Sequence, residues 1–314
     1  MSEAATVTFS IVAHDPDAGE IGVAVQSHFF NVGSLCPWAE AGVGAVATQA
    51  FVEPGYGPRG LALMRSGLDP RAALDALLAV DPGQAVRQVA MLDATGRVAT
   101  HTGDQCIAAC GHRSGDGVSV QGNMLSNNAV WSSMLDAYEK AKGGGLALAE
   151  RLLAALDAAE ANGGDVRGRQ SAAMLVVSAA SPVGRSVGMP ACDLRVDDDV
   201  VPLAELRRLL GMHRATALLL EAEGMVLDGR ADEAIERFAA AQDAFGPNLE
   251  PSFWAGAMLA AVDRVDDAVP YLRAAAASRP AWLDLLKRLP TSGALPLTTE
   301  QVSAVMARIA ATER

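Results

Sequence analysis

The sequence predicts an α+β protein with a helix-only tail, on three observations. First, small and β-branched residues form three strand-like runs in the opening fifty positions: T-F-S-I-V-A-H-D at 8–15, E-I-G-V-A-V-Q-S-H-F-F at 20–30 and G-V-G-A-V-A-T-Q-A at 42–50. Second, strand-like runs give way to helical ones and then return, which describes sheets covered by helices and not a repeating βαβ unit. Third, from about residue 214 the pattern is helical throughout, and it repeats.

Taken in order, the early runs are separated by Asp, Gly and Pro, as strands joined by turns should be. Residues 57–66 and 70–79 predict short helices. Asp69 before Pro70 supplies the second with a cap and a ring whose fixed φ suits the first turn. Residues 87–102 predict a hairpin around D-A-T-G. A strand is expected at 118–123, then helices at 128–141 and 146–161 with Gly143, Gly144 and Gly145 between them. A buried strand at 171–178, its neighbour at 191–196 and a helix from 203 follow. In the tail, the stretch from Arg230 (R-A-D-E-A-I-E-R-F) matches that from Arg264 (R-V-D-D-A-V-P-Y-L). Ala234 and Ala268, Phe238 and Leu272, and Ala241 and Ala275 are each 34 positions apart. That period, with small residues where antiparallel helices approach, is the tetratricopeptide pattern. Two repeats are fewer than the three or so that stand alone, so the tail is expected to pack on the first domain or on a partner subunit. A homo-oligomer is the expected state, with Phe253, Trp254 and Trp282 as its apolar candidates, although such residues more often pack helices.

The chain of 314 residues has a net charge of −12. Nucleic-acid binding needs a basic surface that displaces counterions, and docking on anionic lipid needs one too; neither is expected here. No run approaches the roughly 18 apolar residues of a membrane helix, and the first residues lack a secretory signal's basic and apolar regions. Cys36, Cys106, Cys110 and Cys192 are too few for a disulfide framework. A cytoplasmic location follows as the expectation. Cys106, Cys110 and His112 form C-x₃-C-x-H, but zinc spacing would demand a further ligand pair, so no metal is expected. No P-loop, dinucleotide fingerprint or G-x-S-x-G elbow occurs, so no cofactor is expected either.

The three early runs, together with Y-G-P-R-G from Tyr56, H-T-G from His101, Q-G-N-M from Gln121 and G-D-V-R-G-R-Q-S-A-A from Gly164, resemble the DUF1028 family, which is grouped with the N-terminal-nucleophile (Ntn) hydrolases. The resemblance covers roughly residues 6–200. It implies a four-layer αββα Ntn-hydrolase-like sandwich over 6–200; the residue pattern adds a connecting helix at 201–213 and a small all-α tetratricopeptide-like domain over 214–314. A similar tail in the family carries the label of a peptidoglycan-binding domain. The implied activity is cleavage of a small amide.

In that chemistry the side-chain oxygen of the first residue attacks, and its own α-amino group, with a pKa near neutrality, is the base. The resemblance places this role on Thr8. Residues 1–7 precede it, so the chemistry requires that they be cut away or that the true start codon lie further on. With Thr8 blocked, the chain would be an inert scaffold whose tail recruits a partner or a cell-wall component. Thr8 also suits a plain strand opening. Ser27, Thr48 and Gln49 can hold the nucleophile or the developing oxyanion, or simply cap strand ends. Asn123 can aim amide donors at a carbonyl oxygen or serve as a turn asparagine. His28 is placed at substrate, as is Glu53, which also suits a solvated loop. Arg169 can grip a substrate carboxylate or pair with Asp165. His101 is either a substrate contact or a structural histidine.

Overall fold

The computed structural model describes residues 5–6, 8–181, 191–293 and 295–311. Residues 1–4 and 7, part of the segment whose removal the nucleophile reading needs, lie outside them. The chain divides into two compact units, Met1–Leu209 and Leu210–Arg314.

The first unit contains two antiparallel sheets. One has six strands: β2 (Thr8–Asp15) is central, with β3 (Glu20–Ser27), β10 (Ser171–Ser178) and β11 (Cys192–Val196) on one side, and β9 (Val118–Asn123) and β8 (Gly111–Gly115) on the other. The second joins β5 (Gly44–Phe51), β6 (Arg87–Asp93) and β7 (Val98–Thr102). The free edge of β5 is shared by β4 (Pro37–Glu40), opposite residues 44–47, and by the two-residue β1 (Ala5–Thr6), opposite Ala50 and Phe51.

Period-two alternation decides what each strand face meets. Val12, Val23 and Val25 of the larger sheet pack with Ala45, Ala47, Ala90 and Leu92 of the smaller one to form the core between the sheets. The intervening residues Val46, Val89 and Met91 face outward, where Tyr56, Leu61, Met64 and Leu74 cover them from α1 (Tyr56–Arg65) and α2 (Pro70–Leu78). Each such buried aliphatic chain is worth about 1.5–3 kcal/mol. Asp69 caps α2, its Oδ1 accepting from Ala72 N at 2.9 Å. On the outer face of the larger sheet lie α3 (Val130–Gly143) and α4 (Leu148–Ala161). Close approach requires Gly22 there, since a Cβ would stand 2.5 Å from Leu152 Cδ1.

The second unit contains the C-terminal part of α5 (Pro202–Leu227), then α6 (Ala231–Phe245), α7 (Glu250–Ala261), α8 (Val265–Ser278), α9 (Ala281–Ser292) and α10 (Thr299–Ala311). All six positions related by the 34-residue spacing are fully buried in its core. A Cβ on Gly256 would lie 2.5 Å from Leu272 Cγ, so α7 and α8 touch closely. Phe253 stacks on Trp282 at 4.8 Å between centroids, which commits both rings to internal packing. Among the described residues, no helix is long and apolar enough to cross a membrane.

Candidate active site

Strand register builds the site. Antiparallel pairing sets Thr8 opposite Ser27 on one side and opposite Asn123 on the other. In the smaller sheet Gln88 is set opposite Gln49 on one side and Thr102 on the other. All six positions follow the inward alternation of Val12, Val25, Ala47, Ala90 and Val98, so two polar rows face each other at one end of the sandwich.

The rows are joined by hydrogen bonds. Thr8 Oγ1 donates to Ser27 Oγ at 3.2 Å. The carbonyl oxygen of Thr8 accepts from Gln49 Nε2 at 3.1 Å and from Asn123 Nδ2 at 3.4 Å. Those nitrogens also donate to Gln88 Oε1, at 2.7 and 3.1 Å. One row deeper, Ser10 Oγ donates to Gln49 Oε1 at 2.6 Å and accepts from Gln121 Nε2 at 2.7 Å. Thr8, Ser10, Ser27, Gln49 and Gln88 are fully buried. A buried amide without partners costs roughly 1–3 kcal/mol, so this cluster holds together only as a connected set.

The backbone is strained beside both amides. Ala50, after Gln49, has φ 70°, and Met124, after Asn123, has φ 51°. Left-handed conformations outside glycine cost of order 1–3 kcal/mol and gather at functional sites. The end of β5 is braced by Arg87, whose Nη1 donates to Phe51 O at 2.6 Å while its Nε meets Asp81 Oδ2 at 2.9 Å.

The other expected residues lie elsewhere. Thr48 faces outward with Val46, its hydroxyl donating to Glu53 O at 3.2 Å. Glu53 Oε1 accepts from Gly55 N at 2.9 Å and stands 3.7 Å from Arg59, so it orders the start of α1. His101 also faces outward, its Nε2 2.8 Å from Gln84 O. His28 and Arg169 flank the end of β3. The backbone N–H of His28 donates to Asp165 Oδ2 at 2.9 Å, and its Nδ1 lies 3.4 Å from Arg169 O. Arg169 pairs with Glu160 at 3.2 Å, while Asp165 takes Arg167. Thus Thr8, Ser27, Gln49 and Asn123 come together, whereas Arg169 is held by Glu160, which also accepts from Gln26 on the opposite face of the larger sheet, and His28, Thr48, Glu53 and His101 do not join them. Ser10, Gln88 and Gln121 were missed by sequence reasoning. The available signal was a polar side chain at every inward position where an apolar strand approaches this end.

Thiol chemistry is disfavoured at Cys36 and Cys106 at neutral pH. Burial pushes the Cys36 thiol up to about 12, and burial followed by the neighbouring Cys110 pushes Cys106 up to about 11. Among the described residues no group of three or more His, Cys, Asp or Glu converges on a metal position.

Comparison with known proteins bears on the whole of this first unit. The model of the "Family of unknown function (DUF1028)" matches residues 8–206. The chain belongs to the DUF1028 family. The crystal structure of protein SPO2555 from Silicibacter pomeroyi, also DUF1028, is 33% identical, with a TM-score of 0.57 over 65% of this chain and 88% of that one. No curated protein matches the chain. The DUF1028 match begins at Thr8, the residue on which the two polar rows converge.

Proposed function

We propose that the DUF1028 domain is an Ntn-type amidohydrolase acting on a small amide, with Thr8 as nucleophile once residues 1–7 are removed. The observation that carries this reading is the clamp on Thr8: a hydroxyl held by Ser27 and a carbonyl oxygen held by Gln49 and Asn123. An anchored threonine at the head of a central strand has the geometry that an N-terminal nucleophile needs. Cleavage after residue 7 turns its nitrogen into a free amine. That amine accepts the hydroxyl proton as Oγ1 attacks the amide carbonyl. The C–N bond then breaks, the proton passes to the departing amine, and water hydrolyses the ester left on Thr8. Asn123 serves the oxyanion by giving up its longer contact to Thr8 O. Two sheets lined outside by helix pairs support the Ntn-like sandwich, and the buried 34-residue spacing supports a tetratricopeptide-like tail.

A second reading is favoured by one observation. Ala5–Thr6 pairs with the end of β5, so this segment ahead of Thr8 is built into the smaller sheet, and in the uncleaved chain the Thr8 nitrogen stays in a peptide bond. In that form the domain is an inert scaffold. The test is a panel of small amides offered to protein that starts at Thr8. Thr8→Ser should retain turnover and Thr8→Ala should abolish it; equal activity in Thr8→Ala and the parent sinks the nucleophile assignment.

A further inference from the structure

We propose that Gln88 is the positioning residue of this site: its amide oxygen is the acceptor shared by the Gln49 and Asn123 N–H groups, and it holds both amides in place beside Thr8. The inference rests on the amidohydrolase reading for its kinetic consequence but not for its geometry.

The backbone carbonyls of Gly111, Gly122 and Thr8 all face side-chain amides here. Backbone carbonyls only accept hydrogen bonds. Gln88 Nε2 lies 2.9 Å from Gly122 O and 3.1 Å from Gly111 O, so nitrogen must occupy that side of the amide. Exchanging nitrogen and oxygen would set the amide oxygen against two carbonyls. The oxygen of Gln88 therefore faces Gln49 and Asn123, and each must offer it an N–H. With its nitrogen so placed, Gln49 turns its own oxygen to Ser10 Oγ, which donates to it and must accept from Gln121 Nε2. Gln121 Oε1 then accepts from Ser119 Oγ at 3.0 Å. Every bond from Ser119 to the Thr8 carbonyl thus runs in one direction, and aligned bonds polarise one another. The same Gln88 nitrogen also lies 3.0 Å from Thr102 Oγ1. Gln88 itself need not touch substrate: it acts through the two amides.

Gln88→Met and Gln88→Glu test this. Methionine fills the space but removes the acceptor that both amides share, leaving Asn123 on its longer 3.4 Å contact to Thr8 O, so kcat should fall about tenfold to a hundredfold through misplacement, with KM within about twofold. In Gln88→Glu the carboxylate sets a second oxygen against Gly111 O and Gly122 O. Protonation restores a donor there, and burial favours the protonated form. The ratio of Gln88→Glu activity to parent activity should therefore rise as pH falls from 8 to 5.5. A ratio flat with pH, or unchanged kcat in Gln88→Met, overturns the proposal. Should Gln88→Met fail to fold, the Gln88→Glu ratio decides alone. Should the parent hydrolyse no amide, the functional reading fails separately, and NMR hydrogen exchange decides the positioning claim. The side-chain amides of Gln49 and Asn123 should exchange slowly in the parent and fast in Gln88→Met while strand amides stay protected. Equal protection in both overturns it.

Discussion

Replacing Arg87 by methionine should destabilise the first unit by an amount the structure sets. The Arg87–Asp81 pair is nearly dry, with side chains 5% and 13% exposed and Nε 2.9 Å from Oδ2. Methionine keeps the apolar stem but strands a carboxylate. Removing one partner of a buried pair costs about 3–5 kcal/mol. Asp81 retains two donors, Tyr56 Oη at 3.0 Å and Gly83 N at 2.8 Å, which argues for the lower end, about 3 kcal/mol. For a unit of this size each kcal/mol shifts Tm by about 2–4 °C, so calorimetry at pH 7 should show a fall of roughly 6–12 °C. The acid dependence has a definite sign. Burial alone would raise the Asp81 carboxyl, but hydrogen bonds from Arg87, Gly83 and Tyr56 outweigh it and hold it below the usual range. A depressed carboxyl stabilises the folded state above its unfolded pKa of about 3.9 and loses that contribution as pH falls through the folded value. The gap between parent and variant should persist from pH 7 to 5 and narrow below about pH 4. A shift under about 2 °C, or a gap unchanged in acid, would refute the argument.

Other consequences concern histidine, thiols and the tail. His112 lies on the exposed edge strand, and partial desolvation of its ring first, with His101 nearby, lowers its pKa; its Nδ1 stands 2.9 Å from Thr102 Oγ1. Its neutral form is favoured by folding, so this stabilisation is present above about pH 6.5 and drains away as pH falls below that. Tm should drop from pH 7 to 5, and His112→Asn should flatten the drop. Iodoacetamide at pH 8 should leave Cys36 unmodified in the native protein while reaching Cys110, because Cys36 is buried and its thiol is pushed up to about 12; mass mapping reads this directly. Ala234→Leu and Ala268→Leu, at equivalent and fully buried positions, should each destabilise the second unit by about 1–3 kcal/mol in urea unfolding. A difference larger than that range between them would contradict their equivalence.

Much of the first unit was legible because its strands are long and bounded by turns. Ser171–Ser178 and Val118–Asn123 form where the runs predicted them, and Pro70–Leu78 starts at its cap. β4 and β8 were not legible. Gly111–Gly115 is an almost wholly exposed edge strand with no alternation to read, and Pro37–Glu40 is four residues that only pairing with β5 makes a strand. The site was legible in part for the same reason. Thr8, Ser27 and Asn123 stood out as strand-end polar residues, but which face a residue takes depends on register. Thr48 and Gln49 are adjacent in sequence yet point to opposite sides of β5. Gln88 sits near the start of an apolar run and acts only through partners 35 to 39 positions away, a distance that local pattern cannot span.

The central claim is that Thr8 becomes a chain terminus. Intact mass and N-terminal sequencing of protein expressed from the full reading frame test it most directly. The account predicts a chain that begins at Thr8. A purified protein that begins at Met1 or Ser2 would contradict it, because Thr8 would then have no free amine to act as the base.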